Sequence, residues 1–120
     1  MRIDIIDING ICIAETISDN IEIKNTQDAL DIMANCGYQG ARKIIIKEKN
    51  IIPDFFYLKT GIAGEILQKF STYNVHLAII GDFSKYQSKS LKDFIFESNK
   101  LGRINFVNSM SQAKERLIKY

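Results

Sequence analysis

The sequence predicts an α/β fold: a small sandwich with a five-stranded mixed sheet opened by a β-hairpin, and four main helices. Three observations carry this. The chain has 120 residues, enough for one core, since domains mostly run to ~100–150 residues. Apolar runs of strand character alternate with segments of helical periodicity, and strands separated by helices pair in parallel through right-handed crossovers. The first two apolar runs, however, are joined only by Asn9-Gly10. That pair tolerates the positive φ values of a two-residue turn and makes the opening an antiparallel hairpin. Residues 1–120 therefore read as a single α/β domain.

The elements follow in order. Ile3 to Ile8 and Ile11 to Ala14 form the hairpin. Asn25 or Thr26 caps a helix that buries Ala29, Leu30, Met33 and Cys36, with Asp28 and Asp31 near its positive end and Gly37 as its stop. Ile44-Ile45-Ile46 is apolar on both sides, as a strand covered on both faces must be, and Val75 to Ile80 is a second such strand. Between them Pro53 suits a first helical position, and Ile62, Ala63, Ile66, Leu67, Phe70 and Tyr73 make one apolar face. Beyond Gly81 a polar loop leads to a helix starting at Ser90, with Asp93 as its capping partner, Leu91, Phe94, Ile95 and Leu101 buried, and Gly102 as its end. A strand from Ile104 to Val107 follows. The last helix is capped by Ser109 with Gln112 and buries Met110, Ala113 and Leu117.

Composition narrows the class. Apolar residues make up 46% and charged residues 25%, the proportions of an ordinary globular domain. The net charge of +2 hides an asymmetry: residues 1–40 carry two basic and seven acidic side chains, and residues 41–120 carry 14 basic and seven acidic. Such a dipole can orient a partner, whereas a pI near 8.5 without an Arg-rich stripe does not make a nucleic-acid footprint. No apolar run reaches the ~18–20 residues of a membrane span, and acids interrupt the N-terminal segment where a signal peptide is apolar. The expected location is cytoplasmic, with no membrane and no nucleic acid as partner. Cys12 and Cys36 read as small core residues, and neither a metal site nor a cofactor motif is expected.

In open α/β sheets ligands gather at the carboxyl ends of parallel strands. That edge should bring together Glu48 and Asn50 after one strand and Asp82, Ser84, Lys85, Lys89 and Ser90 after the next. The hydroxyls and lysines of this loop suit a phosphate or carboxylate at a helix N-terminus, although an exposed loop and an N-cap would contain the same residue types. Asp82 is either a metal ligand, acid or base, or a simple Asx-turn. His76, with no acid near it in sequence, reads as a structural histidine. Phe55-Phe56-Tyr57 reads as core with one amphipathic edge, or as an exposed patch for a partner.

The runs Asp28-Ala29-Leu30-Asp31, Asp54 through Phe70 and Gly81-Asp82-Phe83-Ser84-Lys85-Tyr86 resemble the bacterial family known as domain of unknown function 4180. That resemblance covers nearly the whole chain and implies no activity. In element order the chain is also similar, more distantly, to the sulfate transporter and anti-sigma-factor antagonist (STAS) domains. These dock on partner proteins, and many are switched at a Ser or Thr beside a glycine at the start of the second main helix. Thr60-Gly61 occupies that place, so the resemblance nominates Thr60 as a phospho-acceptor, with Phe55, Phe56, Gly61 and Ile62 as the docking surface. Lys47 and Leu58 stand where many such domains carry aspartates.

The leading expectation is accordingly a non-enzymatic cytosolic regulatory domain that docks on a protein partner. The alternative is a binder of a small molecule or anion, such as a phosphate-containing ligand, through loop 82–90 and Glu48. A third reading is a homodimer in which acidic and basic halves meet.

Overall fold

The computed structural model describes residues 1–119. Strands β1 (Arg2–Ile8) and β2 (Ile11–Ile17) form the expected antiparallel hairpin, with Ile8 opposite Ile11. Asn9 and Gly10 take φ values of 53° and 83°, and the Gly10 N–H donates to the Asp7 carboxylate at 3.0 Å. β3 (Lys43–Lys47), β4 (His76–Ile80) and β5 (Ile104–Val107) then add in parallel, giving a sheet of order β1-β2-β3-β4-β5.

Because successive parallel strands are neighbours, right-handed crossovers put their connecting helices on one face. Helices α1 (Thr26–Tyr38), α2 (Ile62–Thr72) and α3 (Lys89–Leu101) accordingly share one core with Ala14, Ile44, Ile46, Leu77, Ile79, Ile104 and Phe106. The alternate positions Ile13, Ile45, Ala78 and Val107 point to the opposite face, where α4 (Met110–Lys119) covers them with Ala113 and Leu117. Period-two alternation thus feeds two cores of unequal size from the same strands.

The caps decide where the helices begin, and some expectations shift. Asn25 accepts from the Asp28 N–H at 2.9 Å, and Asp28 accepts in return from the Lys24 N–H at 2.9 Å. Gly37 does not stop α1: the helix runs on to Tyr38, and the positive φ of 91° falls on Gly40. α3 is capped by Ser88 rather than Ser90; the Ser88 hydroxyl accepts from the Leu91 N–H at 3.2 Å, and Asp93 pairs instead with Lys89 at 2.8 Å. Leu101, expected inside, is 80% exposed, because it is the last residue before Gly102 (φ 85°) turns the chain into β5. Tyr73 likewise lies past the end of α2 and is exposed. Of the helical region expected from Pro53, Ile62–Thr72 is α2, but its opening stretch forms 3-10 turns at Pro53–Phe56 and Leu58–Thr60, after a further 3-10 turn at Glu48–Asn50. Phe55 and Phe56 are both buried in the Pro53–Phe56 turn, and Gly61, in the left-handed region at φ 77°, separates these turns from α2.

The two edges of the sheet differ. At β5 the Asn99 side chain, from α3, accepts from the Phe106 N–H at 2.7 Å and donates to the Phe106 carbonyl at 3.1 Å, as a neighbouring strand would. Arg116 of α4 reinforces this by donating to the Asn99 carbonyl and, at 2.8 Å, to Asn105. β1 forms the other edge.

Candidate functional site

The carboxyl ends of the parallel strands open onto a cavity of about 360 Å³, lined by Ile21, Glu48, Lys49, Ile51, Pro53, Phe56, Tyr57, Lys85 and Tyr86. Its floor rests on Glu48, the first residue after β3, whose side chain is only 12% exposed. The carboxylate accepts from the Lys85 ammonium at 2.9 Å and from the Tyr86 hydroxyl. Gly81 makes room for it: a Cβ there would lie 2.5 Å from Glu48 Oε1 and 2.7 Å from Glu48 Cβ. Burial and the hydrogen bond to the Glu48 carboxylate hold the Tyr86 phenol above its ordinary pKa, so Tyr86 stays a neutral donor.

Aromatic contacts fix the loop that supplies Lys85. Phe56 stacks on Tyr86 with ring centres 5.3 Å apart, and Phe83 meets Phe106 edge-on at 5.3 Å. Phe83 and Tyr86, three residues apart, face inward while Asp82, Ser84 and Lys85 face out. The Lys85 ammonium lies 5.4 Å from the Tyr86 ring centre, within cation–π range. Below, Asn50 ties the 18–23 segment to the site. Its amide donates to the Ser18 and Asn20 carbonyls at 2.9 and 2.8 Å, and its backbone carbonyl accepts from Glu22 and Ile23.

Of the alternative site, the structure brings together Glu48 and Lys85 and leaves the rest outside. Asp82 is an exposed Asx-turn that accepts from the Ser84 N–H at 3.1 Å and from its hydroxyl at 2.5 Å. Those hydrogen bonds hold its carboxyl below the usual range. Lys89 points to solvent beside Asp93, and Ser90 is exposed in the first turn of α3. The reason is the earlier start of α3, which turns both residues away from the strand ends.

The expected docking surface also changes. Phe55 and Phe56 are 1% and 3% exposed, so their rings are core and offer a partner nothing. Ile62 is half-buried, and Gly61, with φ 77°, joins the last 3-10 turn to α2. Thr60 is exposed, but its hydroxyl is engaged: it lies 2.9 Å from the carbonyls of both Asp54 and Tyr57 and accepts from the Ile62 N–H at 3.2 Å. The composition of 53–60 does not distinguish a loop patch from a folded-in turn. Only the buried positions available beside β3 and β4 decide it.

The family described as a domain of unknown function, DUF4180, matches residues 8–117. The chain belongs to the DUF4180 family. No curated protein and no solved structure matches it.

Two other cavities in this DUF4180 domain are larger. One of about 520 Å³ lies between α1 and the end of α2, lined by Leu30, Met33, Ala34 and Tyr73 with Asp31 and Arg42. The other, about 500 Å³, lies between α2 and α3 and includes His76 and Arg103. Burial, with Arg103 and Lys43 nearby, lowers the His76 pKa. Volume alone does not make a binding site; convergent polar groups at the strand ends do, and the smaller cavity combines them with aromatic walls. Among the described residues no helix is long and apolar enough to cross a membrane.

Proposed function

We propose that this DUF4180 domain binds a small organic anion, with a carboxylate or phosphate head and a flat apolar body, in the cavity at the strand ends. The observation that carries the reading is the division of labour among its charges. The lining carries one carboxylate and two ammonium groups, a net charge of +1: Lys85 and Tyr86 satisfy Glu48, and the surplus is the Lys49 ammonium, 58% exposed, whose partner at 3.6 Å, Asp19, is fully exposed to solvent. An ammonium has three donors, and the Glu48 contact uses one on Lys85. The exposed Ile21, Pro53 and Tyr57 at the cavity's lining would take the apolar body.

Calorimetric titration with benzoate and phenyl phosphate tests this, with inorganic phosphate and benzyltrimethylammonium as comparison probes. Binding of the two aromatic anions, weaker binding of phosphate, none of the ammonium ion, and about a tenfold loss in Lys85→Ala are expected, near 1.4 kcal/mol. Aromatic anions that fail to bind the folded wild type, or bind Lys85→Ala equally well, overturn the reading.

A second reading is a STAS-like protein-docking domain switched at Thr60. It is supported by the exposure of Thr60 just before α2 and of Tyr57, 66% exposed, beside it. A partner captured only by wild type or only by Thr60→Glu would favour it.

A further inference from the structure

We propose that β1 is a self-pairing edge: two copies of the chain join their sheets through antiparallel β1 strands, with Ile3 opposite Ile3 of the second copy. A two-residue turn hydrogen-bonds the residues on either side of it, so the Ile8–Ile11 pair directs its backbone groups inward. By alternation the even residues of β1 bond to β2, and Ile3, Ile5 and Asp7 present their N–H and C=O groups outward. The opposite edge of the sheet is sealed by the Asn99 amide and Arg116. On β1, by contrast, Ile5 is 41% exposed, a kind of edge that proteins ordinarily blunt.

The side chains name the occupant. Read outward from Ile3, the strand is Met1-Arg2-Ile3-Asp4-Ile5: apolar, cation, centre, anion, apolar. Reversing it about Ile3 places each Arg2 against Asp4 of the other copy and Met1 against Ile5. With Ile3 as a hydrogen-bonded pair, Arg2 and Asp4 fall in the non-hydrogen-bonded pairs, where side chains lie closest. Within one chain Arg2 already pairs with Asp4 at 3.1 Å, so the dimer would close a ring of four alternating charges. Asp4 also lies directly opposite Glu15 on β2, a like-charge pair in which Lys47 meets Glu15 at 3.4 Å, and a second guanidinium would add a further cation beside Asp4. Self-pairing would leave the strand-end cavity open, since none of its lining residues lies on β1.

Sedimentation velocity over a concentration series tests the pairing, with circular dichroism confirming that each variant is folded. Wild type is expected to dimerise reversibly. Arg2→Asp and Asp4→Arg should each weaken the dimer by about tenfold or more, since each sets like charges opposite, and the double variant Arg2→Asp/Asp4→Arg should restore it. A wild type that stays monomeric up to about 1 mM, where an association would be no stronger than ~4 kcal/mol, overturns the proposal. So do single variants that dimerise like wild type, or a double variant that does not recover.

Discussion

Gly81 is the smallest side chain in the site and the one with least tolerance. A methyl group there meets Glu48 Cβ at 2.7 Å as well as its Oε1, and a Cβ, unlike a carboxylate tip, cannot swing away. Gly81→Ala should therefore displace Glu48, loosen Lys85 and Tyr86 together, and cost about 1–3 kcal/mol in chemical denaturation. Unchanged stability and ligand affinity would show that Glu48 is not held where the structure places it. The sequence marks Gly81 only as the end of a strand, because its meaning depends on a residue 33 positions earlier. Glu48, Asp82 and Lys85 were legible as polar residues at strand ends. Which of them converge was not legible, since Ser84 claims Asp82 through a local turn. Phe83 and Tyr86 are the informative residues that a reading of the loop as polar passes over.

At the scale of elements, hairpin, strands and helices were readable from turn chemistry and periodicity; the sheet order was not, because right-handed crossovers leave open on which side of the sheet each new strand adds. Errors cluster at boundaries, where several residues could serve as cap or stop. Ser88 prevails over Ser90 because it places Leu91 in the core, and α1 passes Gly37 because Gly40 provides the left-handed exit. The connection from 48 to 60 was unreadable as three 3-10 turns, since its two buried phenylalanines lack any regular period. The β5 edge gives the sharpest test. Asn99→Ala leaves the Phe106 N–H and carbonyl unpaired and should cost about 1–3 kcal/mol; it should also make the chain more prone to aggregate. Thermal melting and light scattering measure both, and an Asn99→Ala protein as stable and as soluble as wild type would count against the seal.

Across the whole molecule, strand order equals chain order. Each parallel strand finds its partner in the strand made just before it, and no place in the sheet is reserved for a later segment. Growth of the sheet can thus keep pace with synthesis from the amino end, since pairing never waits on distant chain. α4 is the exception: it belongs to no crossover, yet among the described residues it is the only helix over Ile13, Ile45, Ala78 and Val107. A nascent chain that has finished its last strand therefore carries a complete sheet with one greasy side bare, and its solubility at that moment depends on ten residues still to come. Ending the chain at residue 108 should reproduce that state, with strong binding of a hydrophobic dye and a tendency to precipitate. A soluble truncated chain that binds no dye would mean that another segment can take the place of α4.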